Sequence, residues 1–147
     1  MAGVVLAVCL GPGGIPKFTV ESAVVETQGL VGDKHRFHFH GGANRALCLF
    51  AIEDYVKLQR DGVACEGPGT FGENLLTQGL DYDALRPDDE LLVGDDVRLA
   101  IHDVREPCGT LKKVDKRFPD LMVGRSGLLC RVLRGGVVRP GMSVQKA

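Results

Sequence analysis

Glu90-Leu-Leu-Val-Gly-Asp-Asp-Val-Arg-Leu-Ala-Ile-His-Asp-Val104 is the stretch from which the fold class follows. Two apolar-rich runs, Glu90 to Val93 and Val97 to Val104, flank Gly94-Asp95, a pair suited to a tight turn between antiparallel strands. The same pattern recurs along the chain. Val4 to Leu10 is a continuous apolar run closed by Gly11-Pro12-Gly13-Gly14, which predicts a strand buried on both faces. Phe18 to Val25 predicts a second strand and Arg45 to Phe50 a third, while Leu128 to Leu133, Gly135-Gly136 and Val137-Val138 predict a second hairpin. One amphipathic helix is predicted over Ile52 to Arg60, with Ile52, Tyr55, Val56 and Leu58 apolar and an exit at Asp61-Gly62. Leu80 to Leu85 reads as a helical turn and the lysine-rich Leu111 to Phe118 as a short helix. Many short strands with a few short helices make a mainly β, barrel-like fold.

Length and charge bound the function. The 147 residues fit one domain, 1–147, without repeat or linker. A net charge of -1 gives no bulk field for nucleic acid or an anionic membrane, and 5% aromatic residues without Trp make a poor platform for stacked bases. No stretch approaches the roughly 18 apolar residues of a membrane span. The apolar first ten residues lack a basic lead-in and run into the Gly-Pro turn, so they read as a strand of a soluble, cytoplasmic protein. Five cysteines, an odd number with no Cys-x-x-Cys spacing, argue against a disulfide framework and a zinc ribbon.

The chemistry-bearing residues fall in three places. Cys108 lies in Val104-Arg-Glu-Pro-Cys-Gly-Thr-Leu111, where Pro107 stops a central strand and a helix start would favour the thiolate. It is either a metal-ligating or nucleophilic sulfur or a small buried hydrophobe. Lys34-His-Arg-Phe-His-Phe-His40 places His38 and His40 on one face if extended, enough to begin a zinc site but without an assured third ligand. The alternatives there are a solvated polar turn or an anion site, with Lys34, Arg36 and Arg45 converging on phosphate oxygens and Gly41-Gly42 allowing close backbone approach. Glu73-Asn74, at the end of the glycine-rich loop from Gly67, pairs a potential general acid with an amide able to read a heterocycle's edge. The plainer reading, which residue physics alone favours, makes Asn74 a loop cap and Glu73 a solvated carboxylate. Gly11 to Gly14 lacks the Lys-Ser or Lys-Thr ending of a phosphate loop, and Cys9, Cys48 and Cys130 sit in core-like strands.

Taken together, these stretches resemble the MOSC domain, the module named for the C-terminal part of molybdenum cofactor sulfurase. The matching pieces are Gly29-Leu-Val-Gly-Asp33, His40-Gly-Gly-Ala-Asn-Arg-Ala-Leu-Cys48, Pro68-Gly-Thr-Phe-Gly-Glu-Asn-Leu75, Gly79-Leu-Asp81, Val93-Gly-Asp95, Arg105-Glu-Pro-Cys108 and Arg131-Val-Leu133. The resemblance implies a barrel-like fold that binds the molybdenum cofactor (molybdopterin) or handles its sulfur. It implies Cys108 as the thiolate to molybdenum. It makes Lys34, Arg36, His40, Arg45 and Arg105 candidates for the pterin phosphate and Asn74 for the ring edge. It also implies reduction of N-hydroxylated small molecules, with Glu73 or His40 as proton donor. The chain has neither the pyridoxal-phosphate domain of the sulfurases nor a cluster suited to flavin or iron–sulfur binding, so electrons are expected from separate proteins. Two other functions fit the same residues: a sulfur carrier with a persulfide on Cys108, and a non-catalytic module that captures an anionic ligand or partner.

Overall fold

The computed structural model describes residues 2–34, 43–65, 67–106, 109–118, 120–122, 124 and 127–147. In chain order the elements are β1 (Ala2–Leu10), β2 (Phe18–Val20), β3 (Ala23–Glu26), β4 (Gly29–Leu30), β5 (Leu47–Ala51), α1 (Ile52–Arg60), β6 (Leu75–Gln78), β7 (Glu90–Val93), β8 (Val97–Val104), β9 (Leu128–Arg134), β10 (Gly136–Val138) and β11 (Ser143–Lys146). Strands β11-β7-β8-β9-β5-β6-β1 form a sheet that closes on itself through the β1–β11 pairing, with β2 added alongside β1. Closure leaves the ladder without long free edges. β10-β3-β4 form a second, small sheet.

Only β5 and β6 run parallel among these barrel pairings, with Leu49 opposite Leu75. A parallel pair needs a long crossover, and residues 52–74 supply it with α1 and the glycine-rich loop. The apolar residues therefore bury on two faces. Leu47, Leu49, Leu75, Leu99, Ile101 and Val144 fill the barrel, whereas Phe50, Tyr55, Leu58, Phe71, Leu76 and Phe118 pack between the outside of the barrel and the crossover. Phe50 and Phe71 stack at 5.1 Å between ring centroids, and Tyr55 and Phe118 meet Phe71 edge-on.

β1 serves both cores because it carries an irregularity. Its register to β6 shifts between Val5 and Ala7, so Val5 and Val8 face the barrel interior while Ala7 and Cys9 face the outer core. The expected strand buried on both faces is thus real, except that Leu6 is 38% exposed at the shift. The hairpin of β7 and β8 and the helix α1 also stand where the sequence puts them, although Val56 of α1 points to solvent.

Four expectations change. Phe18 to Val25 is two strands, β2 on β1 and β3 on β10 and β4, because the chain leaves the barrel for the small sheet at Glu21-Ser22. Arg45 ends a 3-10 turn, Ala43–Arg45, ahead of β5. β9 and β10 form no hairpin: β10 pairs with β3, and a Cβ on Gly135 would lie 2.3 Å from Val25 O. Gly135 therefore marks a close backbone approach to β3. The lysine-rich segment holds a 3-10 turn, Gly109–Lys113, in place of a longer helix. No helix among the described residues is long and apolar enough to cross a membrane.

Candidate functional site

Few polar side chains are fully buried, and where they gather is informative. Among the described residues the buried polar residues are Lys17, Glu73, Asn74 and Thr77, and the Asp33 side chain is buried with them; all but Thr77 belong to one region at the end of β1, β5 and β6. Asn74 sits just ahead of β6, between its two neighbours: Cys9 N donates to Asn74 O at 2.7 Å, and Asn74 N donates to Cys48 O at 2.8 Å. Its side chain repeats the bridge. Cys48 N donates to Asn74 Oδ1 at 2.9 Å, and Asn74 Nδ2 donates to Cys9 O at 3.2 Å and Asp33 Oδ2 at 2.9 Å. Both Asn74 N–H groups are thereby spent inside the protein, which leaves none for a ligand's edge.

Asp33 is the hub beside it. Lys17 Nζ lies 2.6 Å from both carboxylate oxygens, and Gly11 N donates to Oδ1 at 3.0 Å. The Lys17 and Asp33 side chains are only 7% and 2% exposed, so this ion pair is desolvated and closed by further hydrogen bonds. Lys17 was not among the residues the sequence singled out. A lone lysine after Pro16 carries no local pattern; its role depends on Asp33, met only in the fold.

Glu73 is fully buried, against the expectation of a solvated carboxylate. Tyr55 OH donates a short hydrogen bond to its Oε2, and Phe71 N donates to Oε1 at 3.3 Å. Burial pushes the Glu73 carboxyl above its ordinary range, opposed by the Tyr55 hydrogen bond. The same burial raises Cys9 to about 12, with Glu73 adding to it. Cys48 is also raised by burial, against the pull of Arg105. Cys9, Cys48, Cys65 and Cys130 are all buried, as core-like cysteines should be.

The glycine-rich loop is fixed by what crosses it. Lys17 N donates to Gly69 O at 2.8 Å, and Gly69 has φ +86° with the site of a Cβ only 2.1 Å from Lys17 O. A side chain there is excluded by both conformation and space. From the other side comes Arg105: its Nη1 lies 3.8 Å from Cys48 Sγ, and its Nη2 lies 3.9 Å from where a Gly72 Cβ would be. Arg105 is half-buried and Lys34 exposed, the latter tied back by its N–H to Gly11 O at 2.9 Å.

Arg45 stands apart from this cluster. It is half-buried, and its Nε is a buried donor without a hydrogen-bond partner among the described residues. No hydrogen bond among those residues joins it to Asn74 or Arg105. Arg36, His38, His40 and Cys108 lie outside the described residues, and no metal-binding group of three or more His, Cys, Asp or Glu occurs among those that are described. Arg105 sets a positive group against a loop that excludes side chains, a feature suited to an anionic ligand.

A family model described as the MOSC domain matches residues 36–145. The chain is 29% identical over 126 residues to a "Reductase" of Gibberella moniliformis, an alignment covering 79% of this chain and 22% of that protein. It is 30% identical over 115 residues to the uncharacterized protein YflK of Bacillus subtilis, covering 72% of this chain and 49% of that one. The chain thus spans half or less of the curated relatives it matches. Among solved structures, YiiM of Geobacillus stearothermophilus superposes with a TM-score of 0.81 at 25% identity, covering 99% of this chain and 75% of that chain. YiiM of Escherichia coli superposes with a TM-score of 0.78 at 27% identity, covering 100% and 70%.

Proposed function

The chain belongs to the MOSC domain family, a molybdenum-cofactor-related domain, and on that premise we propose that Cys108 is its thiolate ligand to the molybdenum cofactor. The activity is reduction of N-hydroxylated small molecules, with electrons drawn from a separate protein. Reduction of N–OH to N–H takes two electrons and two protons and releases water. When bound, the cofactor supplies a metal centre able to exchange those electrons.

One observation carries the reading. Phe71-Gly-Glu-Asn74 and Arg105-Glu-Pro-Cys108 are about 30 residues apart in sequence, yet Arg105 of the second reaches Gly72 of the first and Cys48 of the His40–Cys48 stretch. Cys108 follows Arg105 by three residues. A soft thiolate suits a sulfur-rich molybdenum centre. The anion fit rests on Arg45, because its buried guanidinium N–H has no acceptor among the described residues, which is costly, and a phosphate oxygen would satisfy it. Lys34, Arg36 and Arg105 add positive charge for the same group, and His40 is the proposed proton donor. Asn74 and Glu73 take a different role. Their polar atoms are engaged inside the protein, so they shape the loop and do not touch the ligand.

The test is metal and pterin content of protein from cells able to make the cofactor, with a reconstitution control. Wild type should carry molybdenum and pterin together; Cys108→Ser should lose both with an unchanged circular dichroism spectrum. Arg45→Ala should weaken pterin retention. Equal molybdenum in wild type and Cys108→Ser overturns the reading, and a sulfur-labile adduct on Cys108 without molybdenum replaces it with sulfur transfer.

A further inference from the structure

We propose that Lys17 and Asp33 are a positioning pair that sets the geometry of the cofactor-gripping residues, an inference that rests on the function proposed above. Neither side chain is accessible enough to touch a ligand, at 7% and 2% exposure. Their contacts lead outward in two directions. Asp33 Oδ1 holds Gly11 N, and Gly11 O in turn accepts from Lys34 N, so the ion pair fixes Lys34, the residue that opens the basic segment after β4, against the end of β1. Asp33 Oδ2 holds Asn74 Nδ2, which aims Asn74 Oδ1 at Cys48 N, beneath the Arg105 guanidinium.

A buried ion pair is poor evidence for stability, because desolvation offsets the attraction and an apolar pair of similar size often serves as well. An apolar pair, however, cannot accept the Gly11 and Asn74 N–H groups. What the charges contribute is direction: Gly11, Lys17 and Asn74 are all pinned to one carboxylate. Lys17 also anchors the loop itself, through its N–H to Gly69 O. Supporting residues of this kind, acting through others that hold a metal or its ligand, typically affect affinity by roughly 10- to 100-fold.

The experiment compares wild type, Lys17→Met, the double variant Lys17→Met/Asp33→Leu, and Val144→Ala. The last is a barrel-core control outside the network, since Val144 is fully buried in β11. Thermal midpoint and retained molybdenum and pterin are measured on each at the same temperature. Lys17→Met should lower the midpoint by about 10 °C, because it leaves the Asp33 charge buried without its counterion. Cofactor retention in Lys17→Met should fall roughly 10- to 100-fold, well beyond the change in Val144→Ala. In the double variant the midpoint should recover only in part, because the buried charge is gone but the Gly11 and Asn74 N–H groups lose their acceptor, while retention stays low. Retention in Lys17→Met equal to that in Val144→Ala, or wild-type retention in the double variant, overturns the inference and leaves the proposed function standing. Wild type without molybdenum or pterin after reconstitution overturns the proposed function, and the inference with it.

Discussion

Asn74 Nδ2 lies 2.9 Å from Asp33 Oδ2, joining two residues 41 apart in sequence inside the same buried region. With the bonds to Cys9 O and Cys48 N, that amide doubles with its side chain the backbone bridge that Asn74 makes between β1 and β5. Asn74→Ala strands three buried polar groups and should lower unfolding free energy by about 3 kcal/mol in urea titration. Asn74→Asp should be worse, since it sets a second carboxylate against Asp33. An unaltered midpoint for either variant would contradict the bridging role.

Glu73 makes stability depend on pH in a definite direction. Its carboxyl is raised in the folded protein above the ordinary 4.5 by burial, so the folded chain holds a proton that the unfolded chain releases. Its stabilising contribution is complete below the unfolded pKa and is lost as pH rises through the folded one. Wild type should therefore lose stability relative to Glu73→Gln as pH climbs from about 4 upward. Parallel stability–pH curves for the two proteins would sink this.

Gly69→Ala places a methyl group at φ +86° within 2.1 Å of Lys17 O, so either the loop or the Lys17 backbone must shift. The expected cost is about 2–4 kcal/mol, combining backbone strain with overpacking. Differential scanning calorimetry would report it, and a change under about 0.5 kcal/mol, the ordinary surface value, would refute the packing.

Thiol chemistry separates the cysteines. Cys9, raised to about 12, and the equally buried Cys48, Cys65 and Cys130 should resist iodoacetamide in the native protein at neutral pH. Peptide mapping after brief native labelling should find the adduct on Cys108, and protection of Cys108 in cofactor-loaded protein. Labelling of Cys9 or Cys130 ahead of Cys108 would contradict the assignment.

How far the sequence could be read depended on how local each signal was. The β7–β8 hairpin and α1 were legible because period and turn residues lie within a short window. The pairing of β10 with β3, in place of a hairpin with β9, was not, because Gly135 serves a contact with Val25, far away in the chain. Likewise Glu73 and Asn74 were visible as a polar pair, but whether they face a ligand or the interior depended on Tyr55, Asp33 and Cys48, each supplied by another element.

The amino-acid sequence by itself determined that this is a mostly β barrel with one amphipathic helix and MOSC motifs, since alternation, turns and motif spacing are written along the chain. Only the tertiary structure decided that Lys17 is an internal counterion, that Glu73 is sealed against Tyr55, and that Arg105 meets Gly72 and Cys48. The reason is physical: burial and counterion are properties of what surrounds a side chain, and those surroundings come from segments remote in sequence.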